Sequence, residues 1–348
     1  NGNVDLGTVR LHPDAHVLGD VVITSQIAVA RKTPVAVSSV AMDFIEEKLG
    51  TQEFPEILKS TPGVHANKDG GGYGDSEIYM RGFGNENIAV MVNGVPMNDM
   101  EWGGVYWSNW AGLTDVTRTM QTQRGLGASK VSAPSVGGTI NIITKEPSRN
   151  SAQLSHTLTG IGGLNVFENN TMVNASLVTD DQKMGLALFG QNRERSGYDH
   201  DGDGYTELPK LENQTVGFRS YITTSTYSKL TFEYHHLEEF RRGGDMLDRP
   251  AHEANIAEQT EHSINTGGLK FDYFSPNEKH RLGVYASAQH IKRDSYYGGG
   301  QALNAYGAPT DLPWVAGTQY VFHFDRCLFM PADLTAGLEY NQDNLKDN

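Results

Sequence analysis

The chain has 348 residues and a formal net charge of −14. This acidic balance excludes a nucleic-acid-binding protein, because phosphate contacts need a basic face, and the single cysteine, Cys327, excludes an internal disulfide. No run of about 18 apolar residues occurs, which excludes a transmembrane helix. Membrane β-strands stay open as a class, since each carries apolar residues only at alternate positions and gives a weak signal.

The first 40 residues open the N-terminal half of the chain, residues 1–147. Val21-Val22-Ile23 is a β-prone run within an otherwise extended tail. Such a run can add as a strand to the sheet edge of a partner protein. The alternative is an ordinary first strand of the domain that follows.

Residues 1–147 mix helix and strand signals with glycine-rich punctuation, which predicts an α+β domain in this half of the chain. The apolar run Ile88–Val92 predicts a strand that is buried on both faces. The pair Asn93-Gly94 that follows it is a strong signal for a type I′ turn. The sequence therefore predicts a buried hairpin near the middle of this domain.

Two other features of this domain also suggest structural roles. Gly137-Gly138 removes side chains where the chain has to pass close to other backbone. Arg81 lies in a predicted strand among apolar residues, which predicts a buried ion pair that holds the domain together. The alternative for Arg81 is an ordinary surface charge.

Four segments of this domain resemble, in order, the motifs of one protein family. They are Phe54–Val64, an early helix and turn; Glu77–Gly84, with the pattern I-x-x-R-G; Ile88–Asn98, similar to V-L-V-D-G-V-P; and Arg124-Gly125 followed by Val136–Lys145, similar to R-G…G-G-x-I-N-I-I-T-K. On these residues the chain resembles the TonB-dependent outer-membrane transporters of the Bacteroidetes. The resemblance implies a plug domain over residues 41–147, with structural roles for Arg81, Gly82, Asn93, Gly94, Arg124, Gly137 and Gly138.

The family resemblance also covers the N-terminal tail. Leu18–Thr24 resembles the TonB box, which implies that TonB binds Asp20, Val21, Val22, Ile23 and Thr24. Val4–Leu11 resembles the last strand of the regulatory domain that often precedes such plugs. Residues 1–17 are therefore expected to end that domain or to be a linker, and residues 18–40 to hold the TonB box and a linker.

Residues 151–348 read almost entirely as alternating strands, after a polar linker at 146–150. Val216, Phe218 and Ile222, for example, fall on one face of a strand, while Arg219 and Tyr221 fall on the other. The pattern predicts nine strands, which begin near Ala152, Asn170, Lys183, Asn213, Lys229, Ser263, His280, Thr318 and Leu334.

The links between these strands alternate in length. The links after the second, fourth, sixth and eighth strands are short, whereas the third, fifth and seventh strands are followed by the long polar stretches 194–212, 238–262 and 292–317. Only the first link is short where a long one is expected. Short turns on one rim and long loops on the other are typical of outer-membrane barrels. A soluble antiparallel sandwich is the alternative, since it also alternates.

The expected fold is therefore an α+β plug domain followed by the antiparallel strands of a transmembrane β-barrel. Plugged transporters of this type have about 22 strands, and the sequence predicts only nine. We expect residues 151–348 to be the N-terminal part of an incomplete barrel, and the native protein to continue beyond Asn348.

Two plug segments, Lys68–Ser76 and Asn98–Trp110, are placed by the family topology at the extracellular apex. Aromatic rings beside glycines and amides suit a pocket that grips a bulky ligand by flat surfaces and a few hydrogen bonds. The predicted substrate-binding residues are Tyr73, Trp102, Tyr106, Trp107 and Trp110. The alternative, expected for at least one tryptophan, is packing of the plug.

An acidic run in the second predicted long loop suggests a metal site. Carboxylates at alternate positions followed by glycine match the start of a calcium-binding loop. Calcium is therefore a candidate cofactor, and the predicted ligands are Asp199, Asp201, Asp203 and Glu207. Lys210 stands where an EF-hand would place its bidentate Glu, so the loop is not an EF-hand, and a solvated acidic turn is the alternative.

The resemblance implies TonB-dependent import of a scarce, bulky nutrient, of the iron–siderophore, haem or cobalamin type, across the bacterial outer membrane. The implied partners are TonB, the small-molecule substrate and outer-membrane lipid, with a surface lipoprotein as a further candidate. A passive surface receptor or adhesin is the alternative, and the TonB-box match argues against it. An outer-membrane enzyme finds no support, because no catalytic constellation stands out.

Overall fold

The computed structural model describes residues 36–48, 54–68, 76–97, 104–105, 107–114, 116–125 and 135–347. The expected regulatory-domain segment 1–17 and the TonB box at 18–24 lie outside the described residues.

Over its described residues, the N-terminal domain contains short helices and seven strands. Its elements are β1 (Ala36–Ala41), α1 (Met42–Lys48), a 3₁₀ helix (Phe54–Ser60), β2 (Val64–Lys68), β3 (Ser76–Met80), a 3₁₀ turn (Asn85–Asn87), β4 (Ile88–Val92), β5 (Val95–Pro96), a second 3₁₀ helix (Trp107–Leu113), β6 (Thr117–Arg124) and β7 (Gly138–Thr144). Five strands form one sheet in the order β1-β6-β7-β4-β5, in which only β4 and β7 are parallel. Strands β2 and β3 form a separate hairpin.

Strand β4 lies inside this sheet, as its apolar run predicts. All five of its residues are buried, because the strand pairs with β7 on one side and β5 on the other while side chains cover both faces. The two-residue turn after β4 has positive φ at Asn93 (52°) and Gly94 (84°). Positive φ at both central residues defines the type I′ turn, so this prediction is confirmed.

Gly138 begins β7 where the chain passes close to other backbone. A Cβ atom there would lie 2.3 Å from the carbonyl oxygen of Gln123 and 2.3 Å from the sulfur of Met80. The φ of Gly138 is +147°, which also disfavours a side chain. The predicted role of the Gly137-Gly138 pair as a close approach therefore agrees with the structure.

The structure corrects two details of this domain. Strand β1 pairs with β6 from Ala36 onward, so the plug sheet begins five residues before the predicted boundary at residue 41. Arg81 follows β3 instead of lying within it, at a φ of 54° and with an exposed side chain. The predicted buried ion pair is therefore wrong, because β3 ends at Met80 and the chain turns before Arg81 can face the core.

The C-terminal part forms one antiparallel sheet of long strands. They are β8 (Ser151–Ile161), β9 (Val166–Val178), β10 (Met184–Arg195), β11 (Lys210–Ser225), β12 (Ser228–Gly244), β13 (Ile256–Phe274), β14 (His280–Gly299), β17 (Trp314–Cys327) and β18 (Met330–Gln342). Two-residue strands β15 (Tyr306–Gly307) and β16 (Thr310–Asp311) pair with β14. The order of the long strands in the sheet follows the sequence, and β8 and β18 are its two edges over the described residues. The nine predicted strands are confirmed.

The links follow the predicted alternation. Residues 179–183, 226–227, 275–279 and 328–329 form short turns at one rim, which we call the turn rim. Residues 196–209, 245–255 and 300–313 form long loops at the other rim, the loop rim, where residues 162–165 make the one short link.

The two faces of this sheet differ in chemistry. On the outward face, large apolar side chains are exposed at Leu154, Leu158, Phe167, Val173, Leu177, Leu188, Val216, Leu269, Val284 and Leu338. The opposite, inward face holds buried polar and charged side chains at Glu168, Arg193, Arg195, Asn213, Glu239, Arg241, His262 and Arg293. A soluble sheet buries its apolar face, whereas a membrane barrel turns that face to lipid and keeps a polar interior. The arrangement matches the barrel and not the sandwich.

Among the described residues, the helices are too short and too polar to cross a membrane.

Candidate functional site

The plug packs against the inward face of the large sheet. Gly112, in the second 3₁₀ helix, lies so close to β11 that a Cβ atom there would meet the Thr215 side chain at 2.5 Å. The Trp110 ring meets the His235 ring of β12 edge-on, with centroids 5.5 Å apart. The plug therefore lies against the inward face of the sheet, and candidate sites lie where the two meet.

Trp107 and Trp110 belong to the plug core, in contrast to their predicted role in ligand contact. Trp107 is 0% exposed and Trp110 is 3% exposed, and both pack in the apolar cluster that includes Leu58 and Met120. Side chains three apart in a 3₁₀ helix share one face, so both rings of Trp107–Leu113 turn to the same core. These two positions are corrected to packing residues.

The other predicted ligand and TonB contacts lie outside the described residues. These are Tyr73, Trp102 and Tyr106 in the apical segments, and Asp20, Val21, Val22, Ile23 and Thr24 in the tail. Their roles stay predictions.

A buried ionic cluster lies on the inward face toward the loop rim. Glu168 on β9 accepts hydrogen bonds from Arg193 Nε at 3.0 Å and Arg195 Nη1 at 3.1 Å, both on β10. All three side chains are buried. Arg195 also donates to the carbonyl oxygen of Pro209 at 3.1 Å. This bond ties the long loop 196–209 to the large sheet of β8 to β18, which we call the wall. The interior is therefore charged here, and each of these three side chains has an ionic partner.

The polar interior continues across the next strands. Asn213 Nδ2 on β11 donates to Glu239 Oε2 on β12 at 2.8 Å. Glu239 Oε1 lies 3.7 Å from Nη2 of Arg241 on the same strand. These residues were not predicted as site residues, because the sequence placed 238–262 in a long polar loop. Strand β12 instead extends to Gly244, so Glu239 and Arg241 are two apart in a strand and share one face.

The acidic loop after β10 brings its four carboxylates together. One oxygen from each of Asp199, Asp201, Asp203 and Glu207 lies within 4.8 Å of the others. Ligands about 2.3–2.6 Å from one calcium ion can be separated by about that much. Hydrogen bonds from the backbone N–H groups of Gly204 and Gly202 hold the pKa of the Asp199 carboxyl below its ordinary value, which keeps it ionised. Calcium binding at this loop stays a prediction.

Toward the turn rim, a cavity of about 1160 Å³ separates the plug from the wall. Its lining comes from the plug, including the hairpin after β4, from the linker 144–149 and from residues of β8 to β13. Lys229 on β12 crosses to the linker and binds both carboxylate oxygens of Glu146, at 2.5 and 2.7 Å. The linker is therefore fastened to the wall beside the cavity.

The hairpin turn of the plug contacts the wall at the side of this cavity. The Asn93 amide nitrogen donates to Glu233 Oε2 on β12 at 2.9 Å, and its oxygen accepts from Arg219 Nη1 on β11 at 3.1 Å. The same oxygen accepts from the backbone N–H of Thr144, at the end of β7, at 3.0 Å. Arg219 also donates to the Thr144 hydroxyl. One plug amide thus joins two barrel strands.

Arg124, another residue with a predicted structural role in the plug, lies at the end of β6. Its guanidinium donates to the Ser38 hydroxyl of β1 at 3.0 Å and to the carbonyl oxygen of Pro62. It therefore ties the edge of the plug sheet to the turn before β2. Gly82, with a φ of 85°, forms the turn after Arg81.

Comparison with known proteins finds its sequence matches mainly in the N-terminal domain. The family model of the TonB-dependent Receptor Plug Domain matches residues 29–139. The ferric enterobactin receptor PirA of Pseudomonas aeruginosa is 30% identical over 142 residues, which cover 37% of this chain and 19% of that protein. The vitamin B12 transporter BtuB of Vibrio cholerae is 28% identical over 142 residues, covering 41% of this chain and 22% of that protein.

Solved structures extend the likeness to the strands. The siderophore receptor PirA from Acinetobacter baumannii superposes with a TM-score of 0.74 at 16% identity, over 90% of this chain and 48% of that one. The ferric-catecholate import receptor Fiu from E. coli gives 0.66 at 15% identity, over 90% of this chain and 50% of that one. At these identities the likeness shows the fold, and the chain spans about half the length of the solved receptors.

Proposed function

We propose that this chain is part of a TonB-dependent receptor of the outer membrane and takes part in energised import of a bulky nutrient, a ferric siderophore or cobalamin. A TonB partner and a small-molecule substrate follow from this proposal. Membership of the Bacteroidetes type stays a prediction.

One observation carries the proposal. The sheet presents an apolar outward face and a polar inward face, and a folded domain packs on the inward face. Such a wall can stand in lipid, while the plug fills the path that a solute would take. A plugged wall suits a substrate that is admitted on demand and not one that diffuses freely.

The need for an outside energy source follows from how the plug is held. Its core is buried, its linker is ion-paired to the wall at Glu146, and its hairpin turn is hydrogen-bonded to two strands. Moving the plug therefore costs free energy. In this proposal that free energy comes from a partner protein outside the barrel. TonB, acting on Asp20–Thr24, would supply the work.

The substrate class rests on the relatives. The curated relatives are named as ferric enterobactin receptors and vitamin B12 transporters. The proposal therefore covers ferric siderophores and cobalamin, which are nutrients too large to pass through passive pores. Outer-membrane lipid would contact the outward face, and a surface lipoprotein partner stays a prediction.

A growth assay tests the proposal. The complete receptor, expressed in a host that lacks its own receptors for both nutrients, is expected to restore growth on ferric enterobactin or on cyanocobalamin at nanomolar supply. The same host without TonB is expected not to grow. Equal growth with and without TonB would contradict energised import, and would favour a passive surface receptor.

Calcium at the acidic loop is a separate proposal, supported by the convergence of its four carboxylates. Calorimetry on the complete receptor is expected to show one calcium-binding event. The triple variant Asp199→Asn, Asp201→Asn and Asp203→Asn should lose that event, because an amide carries no negative charge to offset the ion. An unchanged titration in the variant would place the calcium elsewhere, and no heat in either protein would leave a solvated acidic turn.

A further inference from the structure

We propose that Asn93 is a latch that holds the plug hairpin against the barrel wall and keeps closed a passage along β11 and β12. The inference rests on the proposed function, in which the plug must make way for a ligand, and it names the contact that has to open first on this side of the plug.

The latch is a single amide between two oppositely charged side chains. The Asn93 nitrogen donates to Glu233 at 2.9 Å, and its oxygen accepts from Arg219 at 3.1 Å. Both contacts involve an ionised partner, and such hydrogen bonds are about twice as strong as neutral ones. The turn that carries Asn93 is fixed by two positive φ angles, so the amide is held in place for both contacts.

The wall has a second arrangement available when the hairpin leaves. Arg219 and Glu233 stand directly opposite each other in the register of β11 and β12. In the closed form each is engaged by the plug, and the ion pairs found among the described residues do not join the two. Once Asn93 withdraws and the guanidinium also leaves Thr144, the guanidinium and the carboxylate can pair across the strands. Neither Arg219 nor Glu233 is then left without an ionic partner. An unpaired buried charge would make opening costly.

These two arrangements make the latch a discrete switch. In the closed state Asn93 lies between the side chains of Arg219 and Glu233. In the open state these two side chains pair with each other. Elements with two defined packings respond to a pull by changing state, and they do not yield gradually. The side chain must be an amide for this, because it offers both a donor and an acceptor. A carboxylate at position 93 would accept from Arg219 but repel Glu233.

The cavity beside the latch is the start of the passage. It measures about 1160 Å³ and is lined by Asn93, Thr144, Arg219 and Glu233 themselves. Ligand pockets typically measure about 300–1,000 Å³, so the space already has the scale of a bulky ligand. Withdrawal of the hairpin would extend this space along β11 and β12 toward the loop rim. A route through the plug core would instead have to break the buried sheet around β4.

Position 93 allows variants that keep the turn and change the side-chain contacts. Asn93→Gly preserves the type I′ turn, since glycine adopts positive φ readily. It removes the contacts to Glu233 and Arg219 together with those to Thr144 inside the plug. Asn93→Asp also tolerates this backbone but places a carboxylate beside Glu233. Adding Glu233→Gln to Asn93→Asp restores a donor at the wall. Asn85→Gly is the control, because the Asn85 side chain accepts only the Ile78 N–H at 3.0 Å inside the plug among its described contacts.

The experiment measures potassium chloride conductance of the complete receptor in a planar bilayer over a urea series, with heat-modifiable gel migration to confirm the folded barrel. Asn93→Gly and Asn93→Asp are expected to conduct at lower urea than the natural protein. The open fraction should be about tenfold higher where that protein begins to open, as loss of charge-assisted hydrogen bonds implies. The pair Asn93→Asp with Glu233→Gln should return toward the natural threshold, and Asn85→Gly should keep it.

Three results would overturn the latch: an unchanged threshold in Asn93→Gly, no recovery in the double variant, or an equal shift in Asn85→Gly. The last would show general weakening of the plug. The measurement needs neither TonB nor a nutrient, so a correct conductance pattern in a protein that fails the growth assay would remove the import proposal and leave the latch standing.

Discussion

Replacing Val173 with arginine is expected to destabilise the complete receptor by about 2–4 kcal/mol, the cost of a cationic side chain on the lipid face near the bilayer midplane. Val173 lies near the middle of β9 and is 50% exposed on the outward face. In a soluble sheet such a surface change would cost within about 0.5 kcal/mol. The free energy of unfolding, measured by urea titration in phospholipid vesicles, separates the two environments.

Asn169→Arg is the matched control for this substitution. Asn169 lies on the same strand and the same face, four residues closer to the loop rim, and its side chain is exposed. Near the interface an arginine costs about 0–1 kcal/mol, because its charge reaches the headgroups. Equal, negligible costs at both positions would mean that the outward face does not contact lipid.

The strand part of the fold was predictable because period-two alternation survives in long strands. The predicted starts at Lys183 and Lys229 fall within one residue of the observed starts at Met184 and Ser228. The start predicted at Ser263 is seven residues late, since β13 begins at Ile256. After Ile256 and Ala257, its residues near the loop rim, 258–262, are polar on both faces and show no alternation, so only pairing with β12 and β14 identifies them as strand.

The sites were less predictable because tertiary packing decided them. Loop aromatics next to glycines suggested a ligand surface, yet Trp107 and Trp110 fall in a short helix that turns both rings into the core. The latch could not be found in the sequence either. Asn93 was selected for its turn, but its contacts to Arg219 and Glu233 depend on where the plug sits against the wall, which no local pattern encodes.

The measurement that tests the central claim most directly is nutrient import by the complete receptor after deletion of Asp20–Thr24. These five residues precede the plug sheet, which begins at Ala36, so the deletion leaves the described plug and wall intact. Nutrient binding to whole cells is expected to stay within about twofold of the natural level, because the residues lie outside the ligand-facing elements proposed above. TonB-dependent uptake of labelled ferric enterobactin or cyanocobalamin is expected to fall to the level of cells without TonB. Uptake that continues at the natural rate in the deletion variant would contradict the account.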